Sequence, residues 1–334
     1  MDLIAPAGIG LCGLLMSNKM ARPAFINAIT QLAIFLPSAN VPALITGRMS
    51  YVDIAWPWGL VALGLARKIA AVADGTSIAG GGGEDAASPV PWYLDRRNAV
   101  MAAYVAAGLR MGLGALALAA AGHLKSELPR YLFQRRRWAK RGIREGTPRY
   151  VLEMQKEILV QAVANMGTLC VPLFLQSYSY CASARLAPAE MAGWALWLGA
   201  LAFEHTADTQ KLAFARRCKR DGVKKAVCTV GLWRYSRHPN YFGEWMVWCA
   251  LVLTSLPSLR ALWATRAEGA LVKACCTAGL FSVPYAMYQC LVNYTGAVPA
   301  EFYSMQKRPG FKAYTEAVPN MFFPGPPKKT KKWR

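Results

Sequence analysis

Four stretches of this chain, residues 98–122, 158–178, 241–259 and 269–292, stay apolar for about twenty residues each, and this limits the fold before anything else does. A helix rises about 1.5 Å per residue, so each run can cross a hydrocarbon core of about 30 Å. Inside lipid every backbone N–H and C=O must be satisfied within the segment, which makes helix the spanning form. Three weaker runs follow the same logic. Residues 24–46 are interrupted by Pro37 and Pro42, residues 51–73 begin at Tyr51-Val-Asp53, and residues 190–206 are short and aromatic. Residues 3–16 are apolar but short, with no basic residue ahead of them; they suit a short span, a re-entrant piece or a signal-like stretch without a clear cleavage site. The expectation is an all-α fold, a polytopic transmembrane helix bundle of about seven spans, with six to eight as the range.

Composition decides where the loops go. The chain is 54% hydrophobic and only 17% charged, yet its net charge is +21. Residues 123–157 hold ten Lys and Arg, 207–241 hold nine and 295–334 hold eight, so three blocks carry 27 of the 39. Basic loops between apolar runs suit the cytoplasmic face and its anionic lipid. Two hairpins of spans return the chain to that face after each block, which puts the C-terminal tail in the cytoplasm. Lys19 and Arg22 fall on the other side. Nucleic acid is excluded as a partner, because the charges flank apolar runs rather than building one basic face. The nine Cys form no C-x-x-C pair, and His123, His205 and His238 have no ligand spacing, so no metal site and no disulfide framework is expected. Lys331 and Lys332 stand third and fourth from the end, as in a dilysine endoplasmic-reticulum retrieval signal; lipid attraction by Lys328 to Arg334 is the competing reading. The Asn293-Tyr-Thr sequon falls on the cytoplasmic side.

The densest polar chemistry lies in residues 231–244, Gly-Leu-Trp-Arg-Tyr-Ser-Arg-His-Pro-Asn-Tyr-Phe-Gly-Glu. Pro239 disfavours helix at His238, and a helix starting near Asn240 would be capped by it. A basic loop at a helix N-terminus suits an anion such as a cofactor phosphate; an interfacial anchor of Arg, Trp and Tyr is the alternative. Asp53 at a membrane boundary is either functional or a headgroup-level helix cap. Arg110 lies mid-span and would face a bundle interior or pair with an acid such as Asp53. Glu204 and Asp208 share a helix face, with Lys211 in reach of Asp208. Two acids at a helix C-terminal end oppose the macrodipole, which points to function. Gly108, Gly112 and Gly114 allow close helix packing.

The string Trp233-Arg-Tyr-Ser-Arg-His-Pro-Asn-Tyr-Phe-Gly-Glu244 resembles the signature of membrane proteins with a steroid 5-alpha-reductase C-terminal-like domain. Glu204-x-x-x-Asp208-x-Gln210-Lys211, Asp53-x-x-Trp56, Gly108-Leu-Arg-Met-Gly112, Gly296-x-x-Pro299-x-Glu301 and Arg308-Pro-Gly-Phe-x-x-Tyr314 follow in the family's order, over about residues 50–325. The wider group includes NADPH-dependent sterol reductases and S-adenosylmethionine-dependent isoprenylcysteine carboxyl methyltransferases. The resemblance implies that Asp208 and Asn240 line an NADPH pocket, with Glu204, Lys211, Arg234, Arg237 and His238 around it and Glu301, Arg308 and Tyr314 folding over the cofactor from the tail. Tyr241 and Glu244, together with Tyr51 and Asp53 by position, are the candidate catalytic groups. The paired Glu of the methyltransferase tail is absent here; only Glu301 follows Ala300.

The expected organisation is an N-terminal apolar region (1–50), a reductase-like transmembrane domain (51–325) with a Gly-rich insert (74–97), and a basic tail (326–334). The expected function is reduction of a C=C bond in an apolar steroid- or lipid-like small molecule with NADPH, in the endoplasmic-reticulum membrane. A methyltransferase of a lipidated or lipid substrate using S-adenosylmethionine, and a non-catalytic membrane protein, are the alternatives. Oligomeric state has no signal in the sequence.

Overall fold

The computed structural model describes residues 4–73 and 90–328. Among them the chain is helical, with no strand and a single antiparallel bridge between Asp95 and Arg185. Five helical segments are long and apolar enough to cross a membrane: Ala21–Thr46, Arg96–Ala120, Pro148–Ser177, Pro239–Ala264 and Ala270–Lys307. Lys331, Lys332 and residues 74–89 of the Gly-rich stretch lie outside the described residues. The end of that stretch is ordered by Asp95, whose side chain accepts from the Arg97 N–H and caps the next helix.

Two compact units divide the chain. The first takes in Met1–Leu128, Arg135–Ala192 and Leu251–Ala286; the second takes in Pro129–Gln134, Gly193–Ala250 and Met287–Arg334.

In the first unit, α1 (Ile4–Leu15) is followed by α2 (Ala21–Phe35), a π-turn at Leu36–Asn40 and α3 (Val41–Thr46). Pro37 and Pro42 do not break this segment, since the wider π-turn absorbs the missing donors. The apolar run expected over 51–73 is two helices instead, α4 (Val52–Gly64) and α5 (Ala66–Ala73), because the chain leaves helical geometry at Leu65. Helix α6 (Arg96–Ala120) packs along α4. Gly108 makes that approach possible: a Cβ there would sit 2.8 Å from the Pro57 carbonyl oxygen and the Val61 nitrogen. Gly112 faces Trp58 in the same seam, whereas Gly114 faces open space.

The basic stretch 123–157 is mostly helix rather than loop, comprising α7 (Pro129–Lys140) and the start of α8 (Pro148–Gly167). The last turns of the 158–178 run form a separate α9 (Val171–Ser177). Helix α1, too short to span unbent at about 18 Å, is packed into the first unit. A Cβ at Gly10 would lie 1.8 Å from the Gly167 carbonyl oxygen, and one at Gly13 would lie 2.7 Å from Cys275 Cβ.

Buried amides tie the first unit together. Gln31 Nε2 donates to Asn27 Oδ1 and to the Gly59 carbonyl, and Asn165 Nδ2 donates to Gln31 Oε1. Glu268 accepts from the Ser17 hydroxyl at 2.6 Å, the Tyr180 hydroxyl at 2.5 Å and the Asn18 N–H at 2.9 Å. Arg96 and Glu190 form a bidentate ion pair at 2.7 and 2.8 Å, the two side chains being 3% and 0% exposed.

Helix α10 (Pro188–Arg220) runs 33 residues from the first unit into the second. This corrects the expectation of a short segment ending near 206. Glu204, Asp208 and Lys211 stand in mid-helix, so the macrodipole gives no reason to single out the acids. Helix α11 (Pro239–Ala264) begins one residue before Asn240, with proline in its favoured first position, so Asn240 does not cap it. Helix α12 (Ala270–Tyr288) passes into a π-turn at Gln289–Tyr294, followed by α13 (Ala297–Lys307) and α14 (Phe311–Ala317).

Candidate functional site

The motif 231–244 and the groups gathered around it lie within the second unit. The turn Gly231–Arg234 presses on α10: Gly231 has φ +55°, and a Cβ there would lie 2.3 Å from Gln210 Oε1. That oxygen accepts from the Leu232 N–H at 2.8 Å. Trp233 is buried, and its indole donates to the Ala207 carbonyl at 2.9 Å. Gly243 brings α11 onto α10, where a Cβ would lie 2.8 Å from Glu204 Cβ. The three-residue spacing of 204, 207/208, 210/211 thus places Glu204, Asp208 and Lys211 along the face of α10 that meets the motif.

Arg237 is the hub. Its Nε and Nη2 donate to the two carboxylate oxygens of Glu301 at 2.7 and 3.1 Å. Its Nη1 donates to the carbonyls of Val318 and Pro319 at 2.7 and 2.9 Å, and its backbone N–H to Asn320 at 2.9 Å. Ser236 Oγ donates to the Phe322 carbonyl at 3.0 Å, and the Tyr314 hydroxyl donates to the Trp233 carbonyl at 2.7 Å. Arg237, Glu301 and Tyr314 are therefore spent on joining the tail to the motif. The aromatic rings of Phe242, Trp245, Tyr288, Phe322 and Phe323 close around the same junction, with neighbouring centroids 5.2–6.3 Å apart.

His238 is buried, its Nε2 lies 3.1 Å from Glu301 Oε1, and its ring stacks parallel on that of Tyr241 with centroids 5.3 Å apart. Burial lowers its pKa from the usual 6.5, outweighing the Glu301 bond, which raises it. The imidazole is then neutral at pH 7, with Nε2–H donating to the carboxylate. A lowered pKa contributes stability above about pH 6.5 that is lost as pH falls through the folded value. Melting temperature recorded from pH 7 to pH 5 should therefore fall below about 6.5 in the wild type, and His238→Gln should lack that component of the fall.

A second group of cations is not spent in this way. Lys211 is exposed, and its Nζ lies 4.2 Å from the centre of the Trp233 ring. Desolvation and then the charge of Arg308 lower its pKa, so the two cations stand close. Arg234 is exposed. The Asp208 carboxylate partly offsets the two charges by acting to raise the Lys211 pKa; two cations close together suit a bound polyanion. Asp208, Tyr241 and Glu244 are part-buried, and Asn240 Oδ1 is a buried acceptor with no hydrogen-bond partner among the described residues. Most buried polar atoms are paired, so this one can accept from a donor brought by a ligand or a water.

Tyr51 and Asp53 belong to the first unit, apart in the chain from this set. Asp53 stands in the first turn of α4, where a carboxylate complements the helix dipole, and Arg48 lies 5.9 Å from the Tyr51 ring centre. Sequence reasoning passed over Gln210, Ser236 and the tail residues 318–322 as parts of the site; Gln210 and Ser236 carried a signal, through their places in the motifs, and the tail residues carried none.

No curated protein and no solved structure matches the chain. The family described as "Protein of unknown function (DUF1295)" matches residues 94–318, which hold the whole of the motif and most of the groups around it, the tail residues 319–323 lying just beyond. That match covers about two thirds of the sequence, and the chain belongs to the DUF1295 family.

Proposed function

We propose that this chain is a membrane-embedded, NADPH-dependent reductase of a C=C bond in an apolar steroid- or lipid-like molecule. The observation that carries the reading is the buried Asn240 Oδ1, which has no hydrogen-bond partner among the described residues, in a motif packed against Lys211. The resemblance of residues 233–244 to the steroid 5-alpha-reductase C-terminal-like signature supports it. The residues present fit the cofactor: Lys211, Arg308 and Arg234 would hold its phosphates, Asp208 a ribose hydroxyl, and Asn240 one of its hydrogen-bond donors. The nicotinamide supplies the hydride. The Tyr241 phenol or the Glu244 carboxyl would deliver the proton to the substrate carbon, and the neutral His238 ring would hold Tyr241 in orientation by stacking. Apolar helices of this length fit an integral membrane protein. We place its basic segments and C-terminus on the cytoplasmic face of the endoplasmic reticulum, with about seven spans.

The test is ligand-dependent stabilisation of the detergent-purified protein, with NADPH and S-adenosylmethionine titrated in parallel. A ligand at a hundred times its dissociation constant stabilises by about 2.7 kcal/mol. NADPH should give the shift, and Asn240→Ala should weaken NADPH binding at least about tenfold, the worth of one well-made hydrogen bond to a buried group. Equal NADPH affinity in Asn240→Ala would show that the pocket is elsewhere. A shift with S-adenosylmethionine alone would make the protein a methyltransferase, and no shift with either would leave a non-catalytic membrane protein.

A further inference from the structure

Helix α10 does not stop at the site. Gly243 of α11 packs on Glu204, the Trp233 indole bonds the Ala207 carbonyl and the Leu232 N–H bonds Gln210, so the chain from 232 to 243 runs beside α10 only as far as residue 210. Helix α11 is long and apolar enough to span and starts at Pro239, which puts the edge of the hydrocarbon near the level of Glu204. Residues 212–220 of α10 continue past both. They end in a Schellman motif: Gly222 has φ +68°, the Val223 N–H donates to the Cys218 carbonyl at 2.9 Å and the Gly222 N–H to the Lys219 carbonyl at 3.4 Å. The projection is therefore a closed helix end, and it belongs to the second unit.

Its charge is one-sided. Residues 212–225 hold six cations (Arg216, Arg217, Lys219, Arg220, Lys224 and Lys225) and one acid, Asp221. All six cations are exposed, the Arg217 and Arg220 side chains 76% and 75% so. Among the described residues Asp221 is the only acid paired with them, at 3.6 Å from Arg217 and 2.9 Å from Arg220. At about 100° per residue the four cations of 216–220 fall within about 160° of one side of the helix. The half-buried Phe214 and Cys218 fall on the opposite side, with Lys211. Leu212 and Val223 add exposed aliphatic surface beside the cations.

Position narrows the partner. Arg216 lies about 18 Å along the axis from Glu204, and at a 40° tilt it still stands about 14 Å above it. The headgroup layer is about 5–8 Å deep on each side, and the field of anionic lipid fades over about 8–10 Å. At such tilts the basic face looks sideways, not down onto lipid. It also carries no exposed aromatic ring on which a nucleic-acid base could stack. We propose that the basic end of α10 and the turn after it form a docking surface for an acidic segment of a soluble protein, one that carries aliphatic residues among its carboxylates.

The full-length protein in phosphatidylcholine nanodiscs is titrated with a labelled twelve-residue peptide of Glu and Leu in a two-to-one ratio, and NADPH binding is measured in parallel. The peptide should bind saturably and slow tryptic cleavage after Arg216, Arg217, Lys219 and Arg220. Arg216→Glu with Arg220→Glu should weaken it at least about tenfold. The same reversal at Arg141 and Arg144, on the basic segment of the first unit, should leave it unchanged, and NADPH affinity should hold in both variants. Lys225 has φ +60°, where glycine is the favoured residue, so Lys225→Gly should weaken the peptide about twofold with no loss of thermal stability. Peptide affinity that survives the Arg216 and Arg220 reversal would overturn the assignment. Tighter binding of a twelve-nucleotide oligouridylate would overturn it in favour of RNA. Protection of the same cleavages by phosphatidylserine nanodiscs without peptide would overturn it in favour of lipid. Absence of NADPH binding would leave it standing, since it uses none of the cofactor groups.

Discussion

Arg237→Ala should cost about 3–5 kcal/mol of stability, the range for removing one partner of a buried ion pair. The side chain is 10% exposed and Glu301 is 16% exposed, so neither charge has much solvent to fall back on. The substitution removes both bonds to the Glu301 carboxylate and both bonds to the Val318 and Pro319 carbonyls. Glu301 keeps one contact, to His238. Because the tail reaches the motif through Arg237 and Ser236, the loss should be local first. Amide hydrogen exchange in residues 311–328 should accelerate well before exchange in α10 or α11. Arg237→Lys should recover little, since an ammonium cannot present a planar fork to a carboxylate while also bonding two carbonyls. A variant with wild-type denaturation and unchanged exchange in the tail would show that the pair is ornamental.

Glu190→Ala should be comparably damaging, again by about 3–5 kcal/mol, for a related reason in the first unit. It strands the Arg96 guanidinium, which is 3% exposed, with only the Ser183 and Arg185 carbonyls as acceptors. It also removes the bond from the Ala187 N–H to Glu190 at 2.6 Å, the carboxylate half of a capping box at the start of α10. Replacing both partners with apolar residues, Arg96→Met with Glu190→Leu, should restore much of the loss, because no charge is then left buried without its partner. Denaturant titrations of the two single variants and the double variant measure this directly. Additive losses in the double variant would contradict the coupling.

Much of the helical inventory was legible in the residues. The apolar runs at 98–122, 158–178, 241–259 and 269–292 appear almost wholly as helix, because an apolar run of that length has no other way to satisfy its backbone in lipid. Boundaries were less legible. The chain at 51–73 breaks at Leu65, and α10 continues fourteen residues past Thr206 to Arg220. Lys and Arg are good helix formers, so a basic segment need not be a loop. The same reason explains why much of 123–157 is helix.

The sequence by itself determined that this protein is helical and apolar, and that its polar chemistry is concentrated at 204–211, 231–244 and 301–314. It also placed Asn240 beside Arg234, Arg237 and His238, because they are near neighbours in the chain. Only the tertiary structure decided which of those groups are spent and which remain available. Arg237, Glu301 and Tyr314 read as ligand contacts in sequence, yet Arg237 and Glu301 take up each other 64 residues apart, and Arg237 and Tyr314 donate to carbonyls 81 to 82 residues away. Hydrogen-bond satisfaction depends on what folding brings within about 3 Å, a distance at which spacing along the chain carries no information.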